Sequence, residues 1–223
     1  MRKAYSARGR DFAVALPPAT LEGIQSGTLR TRYKGRAFYK NPFDVLNYMR
    51  VLEELRPRTI IEIGTAEGGS AVWFRDQCVA LGLNTKIYSF DISPPQDLDE
   101  DMIVLGRVDA YKIGQTLPAD TFAALPHPWL IIEDSAHTYA ATLSVLRYFD
   151  RLVEPGDYVV IEDGVVADLP EDEYGSFEDG PNRAVMELLE SAYSNYDIDE
   201  DTCDFYGHNV THCPNAWLRV VDA

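Results

Sequence analysis

Two stretches of this chain end in clustered acids: WLIIEDSAH over residues 129–137 and YVVIEDG over residues 158–164. Each is an apolar, β-branched run that stops abruptly at carboxylates. Such a run reads as a buried parallel strand whose carboxyl end delivers acids to the rim of a sheet. Asp134, Glu162 and Asp163 would repel one another at a shared rim, and a divalent metal ion among them is the simplest resolution.

Positioning these acids requires a strand–helix–strand unit. Residues 137–153 carry Leu143, Leu146, Phe149 and Val153 at helical spacing. A right-handed crossover through that helix puts both acidic strands in one sheet, at the edge where α/β folds bind ligands. Upstream, TIIEI over residues 59–63 is a short buried strand that enters a glycine turn at Gly64, Gly68 and Gly69. A helix follows with Ala71, Phe74, Cys78 and Leu81 facing inward. Residues 86–91 form a second strand ending in Asp91, and residues 103–105 a third that leads to Asp109. Before all of these, Asn41-Pro42 starts a helix over 43–55 with Leu46, Met49, Leu52 and Leu55 on one face.

The glycines let the backbone turn tightly and let a ligand approach the main chain. Their spacing is not the dinucleotide fingerprint G-x-G-x-x-G, because Ala66 stands where the second glycine belongs. Strand, glycine turn, helix, strand and acid in that order still predict a bound ligand, with Asp91 placed to accept from ribose hydroxyls.

The pattern E-x-G-x-x-x-G-G, here Glu62 to Gly69, resembles the first strand of S-adenosylmethionine-dependent methyltransferases. The layout of the acids, with Glu162 28 positions after Asp134 and His137 three after it, resembles metal-dependent O-methyltransferases of the catechol type. The wording is similar to the cephalosporin hydroxylase family, which includes antibiotic and macrolide-sugar O-methyltransferases. The matching motifs are IEIGT (61–65) with GGS (68–70), EDSAHT (133–138), VIEDG (160–164), GPNRAV (180–185) and PNAWLR (214–219).

This resemblance implies a Rossmann-like class I methyltransferase: an α/β sheet, mostly parallel, with an antiparallel C-terminal hairpin strand. It implies S-adenosylmethionine as cofactor, held by Glu62, Gly64, Gly68, Ser70, Asp91, Asp109 and Asp134. Asp134, Glu162 and Asp163 become metal ligands, and an oxygen-only set favours Mg²⁺, with Mn²⁺ or Ca²⁺ as alternatives, over zinc. Glu133 and Asp134 should face opposite ways on a strand, and either is open to facing the metal. His137 stands at the general-base position, a suitable role for imidazole near neutral pH. The implied reaction is methylation of a hydroxyl on a small molecule, a natural product or sugar. A nicotinamide-dependent oxidoreductase shares the glycine turn but does not account for the three acids. A cofactor-binding accessory subunit without catalysis is a third reading. The hydroxylase name finds no 2-His-1-carboxylate triad in support.

Composition bounds the rest. The 223 residues, 46% hydrophobic, suffice for one sizeable core. No apolar run is long enough to span a bilayer, and no signal-peptide core follows Met1. Cys78, Cys203 and Cys213 suggest no disulfide framework, which favours a reducing cytoplasm and makes the Asn209-Val-Thr211 sequon a chance match. A net charge of -16 disfavours nucleic acid and anionic membrane as partners. The expected partners are a small hydroxylated acceptor and further copies of the chain in a homo-oligomer.

Nine of the basic residues but two of the acidic ones fall in residues 1–40, a basic arm and cap segment ahead of a methyltransferase domain over 41–223. That arm is expected to fold over the acidic body, reach a neighbouring subunit or stay solvated. Residues 165–179, rich in Pro, Gly and acids, read as a lid. A helix is expected over 183–193, then strands within 196–206 and at 216–221. His208, His212, Cys203 and Cys213 fit no zinc spacing and are expected to be incidental to a hairpin.

Overall fold

The structure, a computed structural model, describes residues 5–177, 180–191 and 194–222. At its centre β1 (Thr59–Ile63), β2 (Lys86–Asp91), β3 (Ile103–Arg107), β4 (Trp129–Glu133) and β5 (Tyr158–Ile161) run parallel in the spatial order β3-β2-β1-β4-β5. Two further strands, β6 (Tyr196–Ile198) and β7 (Trp217–Val220), complete the sheet, β7 antiparallel to β5 and β6 antiparallel to β7. Every residue of β1, β4 and β5 is buried. That is why these strands read as unbroken apolar runs with no alternation.

Register decides where the chemistry emerges. Ile63 pairs with Glu133, and Glu133 with Ile161, so the three strands end level. The next residues, Gly64, Asp134 and Glu162, therefore leave the sheet side by side. Their amides still donate to the neighbouring strand, Asp134 N to Ile63 O at 2.8 Å and Glu162 N to Glu133 O at 2.9 Å.

Among the described residues, five helices of ten residues or more flank or cap the sheet: α1 (Pro18–Thr28), α2 (Pro42–Leu55), α3 (Gly69–Ala80), α4 (Tyr139–Phe149) and α5 (Gly180–Leu189). In α3, Ala71, Phe74 and Cys78 are buried as their spacing predicts. The start of α2 follows from Asn41, whose side chain accepts from the amides of Phe43 and Asp44, and from Pro42 in the first turn.

The inward face of α2 keeps Leu52 and Leu55 of the expected apolar stripe but not Leu46 and Met49. Leu46 and Met49 are 47% and 42% exposed, whereas Asp44, Asn47, Tyr48, Val51 and Leu52 are buried. Polar partners explain the difference. Asp44 accepts from Thr211 Oγ1 and from His212 N, and Asn47 Nδ2 donates to Thr202 O. Buried polar groups with partners are tolerated, so the helix turns that face inward.

The described part of the N-terminal arm folds over the acidic body. Arg8 pairs with Asp197, and Arg10 with Glu200 and Asp204. Val14 and Leu21 form a small apolar cluster with Val165 and Leu169 of the expected lid, which folds as three short helical turns between Gly164 and Phe177. The last two lid residues, and the expected end of the next helix at Tyr193, lie outside the described residues; α5 itself runs Gly180–Leu189. Between β6 and β7 a helical turn (Glu200–Cys203) and an irregular loop replace the simple hairpin, and all three cysteines are buried and free.

Candidate active site

A cleft of about 430 Å³ opens at the carboxyl ends of the parallel strands. One side is the glycine turn with Asp91 and Asp109, the floor is Asp134, His137 and Asp163, and the opposite wall is Gln25, Leu29, Tyr39, Tyr174 and Phe177. Elements far apart in sequence, α1 and the lid among them, thus close one cavity.

Gly64 is where the glycine requirement is strictest. Its φ is +114°, and an added Cβ would lie 1.9 Å from the carbonyl oxygen of Asp134. No side chain fits there. Beneath the turn, Glu62 is buried and accepts from Ser89 Oγ at 2.5 Å, with the Ser70 hydroxyl also against it. Glu62, Gly68 and Ser70 thus shape the turn from behind, while Gly64, Asp91, Asp109 and Asp134 line the cleft. Asp91 accepts from Ala66 N at 2.9 Å and Ser93 N at 2.8 Å, and Asp109 from Tyr111 N at 3.0 Å.

Glu133 and Asp134 face opposite ways. Glu133 is buried toward α4, accepting from Ser135 and, at 3.0 Å, from Thr142 Oγ1. Asp134 faces the cleft. Two non-glycine residues with left-handed backbone, His137 at φ 52° and Asp163 at φ 58°, re-aim their side chains toward it. Such conformations are uncommon outside glycine, though Asp and His adopt them more readily than most residues. One ligand atom each from Asp134, His137 and Asp163 lie within 4.8 Å of one another. His137 Nε2 is 3.4 Å from Asp163 Oδ2, and its Nδ1 is sealed off with no hydrogen-bond partner.

Glu162 stands behind this group and does not line the cleft. Its Oε1 accepts from Tyr48 Oη at 2.5 Å and meets Lys40 Nζ at 2.8 Å. The same ammonium donates to Asp134 Oδ2 at 2.5 Å. Lys40, Tyr48 and His212, whose Nδ1 is 3.7 Å from Asp163 Oδ1, are the site residues that the sequence reading missed. Lys40 is 94 positions from Asp134, so nothing local signals the pair. His212 was visible only as part of a zinc pattern that did not fit.

The charges follow from this packing. Burial opposes ionisation of Asp163, but the imidazoles of His137 and His212 outweigh it and hold the carboxyl below its ordinary range. Burial raises Asp134 and Glu162, with Lys40 working the other way. For Lys40 burial opposes the charge, and Asp134 and Glu162 more than restore it, so the amine stays protonated.

These residues suit a hard divalent ion. Asp134 and Asp163 offer carboxylate oxygens into the cleft, the His137 ring lies beside them, and oxygen donors of this kind select Mg²⁺ or Mn²⁺. Glu162 has one oxygen already engaged. Among the described residues no helix is long and apolar enough to cross a membrane.

The sequence model of the family described as Rhamnosyl O-methyltransferase/CmcI matches residues 26–221. A rhamnosyl O-methyltransferase of Mycobacterium tuberculosis (strain H37Rv) is 26% identical over 202 residues, covering 85% of this chain and 78% of the relative. Its Mycobacterium leprae counterpart is 30% identical over 146 residues, 60% of each chain. Among solved structures, CmcI with Mg and SAM superposes with a TM-score of 0.67 at 24% identity, covering 98% of this chain and 91% of that one. The MycE methyltransferase of mycinamycin biosynthesis, solved with Mg and SAH, gives 0.51 at 18% identity over 78% of this chain and 44% of its own. The structural likeness speaks for the fold, that of the class I methyltransferases.

Proposed function

The chain belongs to the rhamnosyl O-methyltransferase/CmcI family and is an S-adenosylmethionine-dependent O-methyltransferase, and from that premise we propose that it methylates a hydroxyl of a sugar or sugar-bearing natural product at a divalent-metal centre. The observation that carries this reading is the convergence of Asp134, His137 and Asp163 in the cleft that also holds the glycine turn and Asp91. That arrangement sets a metal-favouring donor set beside a cofactor-favouring turn, which a nicotinamide oxidoreductase does not require. The relatives named as rhamnosyl O-methyltransferases support a sugar acceptor, and the CmcI and MycE structures with Mg support the ion.

When bound, S-adenosylmethionine supplies the methyl group, and the ion favours the deprotonated form of the acceptor hydroxyl. Asp134 and Asp163, with Glu162 behind them, would hold the ion. His137 takes the hydroxyl proton at Nε2, because Nδ1 is sealed within the protein. Asp163, 3.4 Å away, balances the imidazolium that results. Gly64 and its neighbours would hold the cofactor at the strand ends, and orientation there would provide much of the acceleration. Tyr39, Tyr174 and Phe177 wall the acceptor side and exclude water.

Methyl transfer to rhamnosides and other hydroxylated sugars, followed by mass spectrometry with and without EDTA, tests this reading. EDTA should stop transfer, Mg²⁺ should restore it, and Asp134→Ala should lose it while staying folded. Full activity after rigorous metal stripping would overturn the metal-dependent reading.

A further inference from the structure

Lys40 is a buried lysine at the start of a helix, just ahead of the Asn41 cap of α2. Both circumstances are unfavourable for a cation. A buried ammonium loses its hydration, and the helix N-terminus carries positive partial charge. Asp134 Oδ2 at 2.5 Å and Glu162 Oε1 at 2.8 Å compensate for both. These are two of the three carboxylates that a divalent ion would use.

The segment bearing Lys40 is fixed from outside the site. Ala37 N donates to Glu67 Oε2 at 2.8 Å, Arg36 reaches the Glu67 carbonyl and Asp97, and Gly69 packs so closely on Ala37 O that a Cβ there would fall 2.0 Å away. Asn41 then anchors the following helix. The side chain of Lys40 therefore has little freedom to withdraw.

We propose that Lys40 is a built-in cation that competes with the divalent ion for Asp134 and Glu162. It keeps the acidic cluster folded and neutralised when no metal is bound, and it weakens the metal site because an entering ion must share those two carboxylates with a fixed ammonium. Lys40 is thus a positioning residue that acts through Asp134 and Glu162. The inference rests on the metal-centre reading given above.

The competition is measurable without turnover. Mn²⁺ binding, read from the electron paramagnetic resonance signal of free aqueous Mn²⁺, is compared in wild type, Lys40→Met and Lys40→Gln, each with S-adenosylhomocysteine present. Removing a cation within contact distance of the site should tighten Mn²⁺ by about tenfold or more. The variants should melt lower than wild type in EDTA and gain more from added Mn²⁺. Lys40→Gln keeps a hydrogen-bond donor to Asp134 should Lys40→Met fail to fold. If neither folds in EDTA, recovery of S-adenosylhomocysteine binding on refolding in Mn²⁺ supports the proposal, and failure to recover overturns it. Folded variants that bind Mn²⁺ as wild type does also overturn it, and weaker binding would overturn it by showing that Lys40 assists the ion. Absence of Mn²⁺ binding in wild type and variants alike overturns the metal reading and this inference with it.

Discussion

Tyr48 Oη donates to Glu162 Oε1 at 2.5 Å from the middle of α2, on a face that the apolar stripe of the sequence does not mark. The contact fixes the rotamer of Glu162 from the side opposite the cleft, and both partners are buried. Tyr48→Phe keeps the ring and its edge contacts with Phe74 and Trp217. It removes one hydrogen bond to a charged acceptor. Unfolding in urea should show a loss of about 1–3 kcal/mol, with S-adenosylhomocysteine binding retained. An unchanged midpoint would show that Lys40 alone suffices to hold Glu162.

S-Adenosylhomocysteine should raise the melting temperature, and NADH should not. Gly64→Val drives a side chain into the Asp134 carbonyl, so it should abolish that shift and lower the melting temperature of the free protein. Stabilisation by NADH in place of S-adenosylhomocysteine would contradict the cofactor assignment.

His137→Ala should bind cofactor and metal yet turn over about 10²–10⁴-fold more slowly, the range for loss of a general base. Burial lowers the pKa of His137, but Asp163 and Asp134 outweigh it and raise the group above its ordinary value. A base works in its neutral form, so the activity of the wild type should rise with pH as the imidazole loses its proton. That limb should vanish in His137→Ala. A variant with full activity at neutral pH would remove His137 from the mechanism.

The N-terminal arm should loosen in acid. Burial works against the charge of Asp204, yet the hydrogen bond and charge of Arg10, the amide of Asn209 and the nearby His208 together outweigh it and depress the carboxyl below its ordinary value. A depressed folded-state pKa contributes stability that is present above the unfolded pKa and lost as pH falls through the folded one. Amide protection over residues 10–14, taken relative to the intrinsic exchange rate at each pH, should therefore fall below the usual aspartate range. Asp204→Asn should be less protected at neutral pH, with protection nearly flat in acid. A wild-type arm that stays protected through that range would show that apolar contacts alone dock it.

The strands were legible because burial on both faces leaves unbroken runs, and the acids ending them mark the rim. Gly64 was legible because its backbone geometry admits no side chain. What sequence could not supply was the company these residues keep. Glu133 and Asp134 were interchangeable until Ser135 and Thr142 claimed the first. The face of α2 was misread because Leu46 and Met49 make a good stripe, and the polar face wins only through Thr211, His212 and Glu162, more than a hundred positions away. Lys40 stood in an aromatic, basic stretch that gave no sign of two distant carboxylates.

The contact between Gly64 and the Asp134 carbonyl has a thermodynamic corollary. On the function proposed above, the turn that would take up the methyl donor and the residue that would take up the ion share one backbone junction with no slack for a methyl group. Occupancy at one should then be felt at the other. Linkage makes that influence symmetric: the factor by which donor tightens metal equals the factor by which metal tightens donor. Calorimetric titrations run in the two orders must close the same cycle, so an affinity for either ligand has meaning only when the concentration of the other is stated.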